Sequence, residues 1–212
     1  MTETIAGAEI PDTALVRVAT DLDRAAADDL LFDHSRRVYL WGTLKGRRRG
    51  LVADPELFYV NAMFHDLGLP ERYRTAGQRF ELDGADVAHD FLLSHGYPAA
   101  DARKVWLGIA LHTTPGVPDR LAPETALVTV GVETDALGFH LEQLTPDEIQ
   151  QVLAAHPRPD FKNRILKAFH NRMKDRQGTT FGTMNDDVLA YFEPGLVRED
   201  FVSIIKNNDW PE

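Results

Sequence analysis

The chain has 212 residues, a hydrophobic share of 43%, a charged share of 26% and a formal net charge of -10, the make-up of one globular domain with a single core. The acidic balance argues against a general nucleic-acid binder, which needs clustered positive charge to meet phosphates. With no cysteine, disulfides, thiolate nucleophiles and sulfur-based zinc sites are excluded, so any metal must rest on His, Asp or Glu.

In chain order, "MTETIAGAEIPD" at the N-terminus has neither a basic start nor an apolar signal core. No later segment reaches the ~20 consecutive apolar residues of a membrane span. A cytoplasmic protein without a membrane partner is the expectation. Apolar residues then recur at spacings of three and four, with helix punctuation between them, and the chain reads as all-α. Helices are expected near 13–26 and 28–45. The basic run "KGRRRG" at 45–50, bounded by glycines, is expected to be a solvated loop rather than a phosphate-binding patch. "DPELFYVNAMFHDLG" follows, with Asp54 as N-cap, Pro55 at the first helical position, and Gly68 as its stop. Further helices are expected near 83–95, 99–112, 123–139, 160–176, 185–193 and 198–207, and "TPDEIQQVLAAHP" carries a capping box of Thr145 and Glu148. No alternating run suggests a sheet, although "ALVTV" at 126–130 has β-branched character. "RQGTTFGTMND" at 176–186 reads as a loop over or beside the core.

Within this pattern, several polar side chains fall on apolar faces. Leu31, His34, Val38 and Trp41 share one helical face, which directs His34 inward. His65 and Asp66 are neighbours in the last turn of their helix and diverge by ~100°. An ion resting against the helix end suits both; the plain alternative is a histidine meeting the helix dipole beside a local cap. His112 ends the apolar "VWLGIALHTT", and Leu127, Gly131 and Asp135 recur at every fourth position of another apolar helix. Polar groups are costly to bury unpaired, and four such helices together point to one buried metal site.

The order His34, His65-Asp66, Asp135 resembles the HD superfamily of metal-dependent hydrolases. The surrounding "HSRRVYLWG", "FHDLGL", "RFELDGADVAHDFLLSHG" and "GIALHTTPGVPDRLAPETALVTVGVETDALG" look like its cyanamide hydratase-like branch. The resemblance implies a single helical domain over 1–212, with an HD core at about 28–140 and helices at 145–207 packed on it. It also implies one divalent ion, Zn2+ first, with Fe2+, Mn2+ or Ni2+ as alternatives, held by His34, His65, Asp66 and Asp135. The reaction implied is addition of water to cyanamide, giving urea. Dinuclear relatives carry a histidine four residues ahead of a Gly-Ala pair; here Gly84-Ala85 has Phe80 at that position, which favours one metal.

A divalent ion lowers the pKa of water towards neutrality, and two carboxylate ligands temper that effect, so a general base helps. Glu81 is the first candidate, with a plain first-turn carboxylate as the alternative. His112 is read as a proton shuttle or a donor that orients the substrate. A nitrile-like small molecule needs no phosphate clamp. Arg36, Arg37, Arg72 and Arg74 keep an HD phosphohydrolase open as the alternative, although each is individually expected at the surface. A di-iron oxygenase would need the ligand that Phe80 replaces, and a non-catalytic metal module would close its coordination shell and leave no pocket. The apolar "YVNAMF" and "VWLGIAL" suit a core, the wall of a cavity or the face of a homo-oligomer. Trp41, Phe32 and Phe139 are candidates to shape a pocket.

Overall fold

A computed structural model describes residues 2–75 and 77–210. Among them the fold is all-α except for a short N-terminal hairpin, β1 (Glu3–Ile5) and β2 (Ala8–Ile10). This hairpin was not expected. Its strands are three residues each, too short to show alternation, and its turn holds Ala6 and Gly7 at positive φ. Ala8 and Ile10 face inward, and the Glu9 carbonyl accepts a hydrogen bond from Tyr39.

The helices follow as α1 (Ala14–Ala26), α2 (Asp29–Arg49), α3 (Pro55–Phe64), α4 (Phe80–Ser94), α5 (Ala99–Leu111) and α6 (Pro123–Val132). After them come α7 (Pro146–Ala155), α8 (Phe161–Met173), α9 (Met184–Phe192) and α10 (Phe201–Lys206). Their starts obey side-chain chemistry: Thr13, Asp28, Asp54, Thr183 and Asp200 each accept a first-turn amide, and Thr145 and Glu148 form the expected capping box. "ALVTV" is helical despite its β-branched residues, because α6 is buried against α2, α3 and α5 and packing decides its state.

The basic run differs from the expected loop. Helix α2 continues to Arg49, Gly50 closes it at φ 67, and three arginines occupy the last turn, where the helix dipole favours them. Lys45 is buried there, with its ammonium donating to the Thr134 hydroxyl and the Phe139 carbonyl, both at 2.7 Å.

Helix α3 is the hub, touching α1, α2, α4, α5 and α6. Two close approaches set the packing. A Cβ on Gly131 of α6 would lie 2.2 Å from the Val38 carbonyl of α2, and one on Gly68 would lie 1.9 Å from the Phe80 carbonyl. A second, smaller apolar cluster joins Leu30 and Leu31 of α2, Leu69 and Phe80 to Phe161, Ile165, Met173 and Leu189 of the C-terminal helices. Those helices thereby cover the end of the bundle at which α2, α3 and α4 meet. No helix among the described residues is long and apolar enough to cross a membrane.

Candidate metal centre

Three helices deliver the polar cluster. His34 lies in the second turn of α2, His65 and Asp66 follow the last residue of α3, and His112 follows α5. All four side chains are buried. The Nδ1–H of His65 donates to the Ala62 carbonyl at 2.7 Å, and that of His112 to the Ile109 carbonyl at 2.6 Å. His34 donates its own to Asp135 Oδ2 at 2.7 Å. With all three Nδ1 atoms engaged this way, the Nε2 atoms face Asp66, at 3.3 Å from His65 and 3.8 Å from His34 and His112.

The cluster is electrostatically incomplete without a cation. His65 Nε2 and both Asp66 carboxylate oxygens are buried with no hydrogen-bond partner, an arrangement costly in an apolar interior. One ligand atom each from His34, His65 and Asp66 lies within 4.8 Å of the others, so a divalent ion fits. Charge does the same work in the pKa values. Burial pushes the Asp66 carboxyl up, but His65, His34 and His112 outweigh it and hold it well below the usual range. Burial drives His112 down to about 4, so its ring is neutral at physiological pH.

Residues 31–158 match the HD domain family, more than half of the chain. The chain belongs to the HD domain family. Among curated proteins none matches it. The HD match runs from α2 through α7, and it takes in His34, the His65-Asp66 pair, His112 and Asp135.

Asp135, expected from the sequence as a fourth ligand, contacts His34 directly. It sits in a π-helical turn, Glu133–Leu137, where the expected helix over 123–139 leaves α geometry before Gly138 ends it at φ 72. Its Oδ1 accepts from Arg37 Nε and Trp41 Nε1, both at 2.9 Å, and its Oδ2 from His34 and from Arg37 Nη2 at 3.0 Å. Asp135 thus lies against His34, and the atoms of His34, His65 and Asp66 that fall within 4.8 Å of one another do not include it. It is ionised: burial raises its pKa, but His34 and Arg37 hold it well below the usual carboxylate range.

Glu81 is also buried and engaged. Its Oε1 accepts from Arg79 at 2.8 Å and from the Thr113 hydroxyl at 2.6 Å. Thr113 lies beside His112 on the wall of a cavity of about 390 Å3 that opens over His34, His65 and Asp66. Much of the opposite wall comes from α8 and α9, through Ile165, Phe169, Met184 and Val188. These residues were not singled out in the sequence, because nothing local distinguishes a cavity wall from a core face. Phe32 and Phe139 do not line the cavity; Phe32 is buried elsewhere in the core and Phe139 is half exposed. Trp41 contributes as a hydrogen-bond donor to Asp135 instead.

The arginines expected at the surface divide. Arg36 and Arg37 are buried, Arg36 donating to Tyr59 and Glu3 and Arg37 to Asp135. Phe80 is wholly buried with its ring 5.6 Å from that of His112. The 176–186 segment, expected as a loop over or beside the core, is in part helical, since a 3-10 turn, Lys174–Thr179, runs into it and α9 begins at Met184; buried Arg176 pins it by donating to Asp83 at 2.7 Å and to the Gly68 carbonyl at 2.9 Å.

Proposed function

We propose that this HD protein is a metal-dependent hydratase or hydrolase of a small uncharged molecule, with the hydration of cyanamide to urea as the first reaction to test. The observation that carries the reading is the cavity: it opens onto the unpartnered atoms of His65 and Asp66, whereas a structural metal module keeps its shell closed. In this reading His34, His65 and Asp66 hold one divalent ion, Zn2+ first, and Asp135 orients His34. The ion supplies a Lewis acid that brings the pKa of water towards neutrality.

The chain's own residues divide the remaining work. Neutral His112 has its Nδ1 proton committed to Ile109, so its Nε2 is the atom that accepts and returns a proton at the cavity floor. Glu81 acts through Thr113, fixing the direction of that hydroxyl at the cavity wall. The ion-paired Arg79 keeps Glu81 charged, which suits positioning better than proton abstraction.

Phosphate hydrolysis is the weaker reading, because it needs cations aimed at the developing charge. Lys162 is the only lysine or arginine on the cavity wall among the described residues. Arg36, Arg37 and Arg74 are engaged with carboxylates elsewhere, and Arg72 lies against Tyr73. The test is urea release from cyanamide by zinc-loaded protein. Release that is abolished in a His65→Ala variant supports the proposal; phosphate release from p-nitrophenyl phosphate, with cyanamide untouched, would replace it.

A further inference from the structure

The cavity is far larger than cyanamide requires. Its 390 Å3 would hold roughly thirteen waters at ~30 Å3 each, while cyanamide displaces about two. His34, His65, Asp66, His112 and Thr113 converge as the polar floor, and Asn185 of α9 is the one uncharged polar residue of the rest of the wall among the described residues. Above them the walls are largely hydrocarbon: Val132 from α6, Ile165 and Phe169 from α8, and Val188 from α9. The mouth is apolar as well, since Leu137, Leu166 and Met184 are 46%, 39% and 38% exposed there. Exposed aliphatic side chains around a cavity entrance carry a hydration cost that an apolar ligand removes. Glu133 and Lys162 are the charged residues of the upper wall, and their opposite signs give no net preference for a charged ligand.

Resting on the hydratase reading, we infer that the site takes a nitrile with a hydrocarbon body, and that the α8 and α9 wall selects for that body. The compact C≡N group reaches the polar floor while the chain or ring fills the space under Phe169 and Val188. In the reaction, the oxygen of water bonds to the nitrile carbon as one C–N π bond breaks and one proton reaches the nitrogen, giving an imidic acid; tautomerisation then carries the second proton from oxygen to nitrogen as the remaining C–N π bond is replaced by the C=O π bond of the amide. Nothing is oxidised or reduced. The primary amide, R–CONH2, leaves through the apolar mouth. The small-molecule substrate class is therefore an alkyl or aryl nitrile.

The test is a homologous series, butanenitrile to octanenitrile, assayed for amide release by the zinc-loaded protein beside cyanamide. Binding of the corresponding amides is measured by calorimetry on the same protein and on Val188→Trp, which fills the upper cavity. Each methylene buried should tighten amide binding about fourfold until the cavity is full. Val188→Trp should end that trend at a shorter chain, the loss of affinity growing with the length of the amide. An affinity independent of chain length, or a trend unaltered by Val188→Trp, overturns the assignment. Turnover of cyanamide with a flat amide series overturns the apolar class and leaves the hydratase reading standing. Turnover of p-nitrophenyl phosphate and of no nitrile overturns the hydratase reading and the nitrile assignment together.

Discussion

Asp135 and His34 share a 2.7 Å hydrogen bond that turns the far nitrogen of the imidazole towards Asp66. Sequence distance hides this relationship, since the π-helical turn that carries Asp135 lies 101 positions from His34. Arg37 and Trp41, on the same helix as His34, hold the carboxylate from its other side, so the ring's direction is set by a buried network.

Asp135→Asn should therefore weaken metal binding by about 10–100-fold, as the loss of an outer partner does. It also leaves Arg37 without its charge partner in the interior, a loss on the order of 3–5 kcal/mol of stability. Titration with a competing chelator, under conditions where circular dichroism shows the variant folded, separates the two effects. An unchanged affinity would mean that His34 needs no support from Asp135.

Arg176 ties the C-terminal segment to the turn that follows the His65-Asp66 pair. Arg176→Met strands the Asp83 carboxylate, which is buried and whose Oδ1 already lacks a partner. Melting should fall by on the order of 10 °C. Adding Asp83→Leu, which removes the stranded charge, should restore much of that loss; a double variant no better than the single one would show that the bond to the Gly68 carbonyl matters more.

Gly131→Ala tests the contact between α2 and α6. The added methyl meets the Val38 backbone carbonyl, which cannot rotate away, so the helices must separate. A loss of about 1–3 kcal/mol in urea unfolding is expected, with no change in the slope of the transition.

Lys45 makes stability depend on alkaline pH. Burial pulls its pKa from the model-peptide 10.5 to about 8 in the fold. Between those values the unfolded chain binds more protons than the folded one, so this residue's contribution to stability rises with pH across about 8 to 10.5 and is flat below. Lys45→Met should remove that rise. The difference between the variant's and the wild-type's unfolding free energies, followed from pH 7 to 10.5, is the measurement; a constant difference would contradict the shift.

Much of this architecture is legible in the chain because the helix signals are local. Asp54-Pro55, the Thr145–Glu148 box and the three-and-four spacing around His34 each act within one or two turns. The departures came where distant residues decide. "KGRRRG" reads as a loop until Lys45 finds Thr134 and Phe139, and Arg37 reads as surface until Asp135 neutralises it. The hairpin at Glu3–Ile10 depends on covering α2, and the cavity wall on α8 and α9 depends on how those helices cap the bundle. The polar floor was recoverable because a histidine or aspartate on an apolar helical face is conspicuous; the apolar roof was not, because leucine and valine there look like any core.

The most direct test of the account is metal binding at His65 and Asp66, whose buried atoms lack partners. Isothermal titration of chelator-treated protein with Zn2+ should give one site per chain, and His65→Ala should weaken it by more than the ~100-fold expected for losing an outer-shell partner. A folded wild-type protein that takes up no ion, or a His65→Ala variant that binds as tightly, would contradict it.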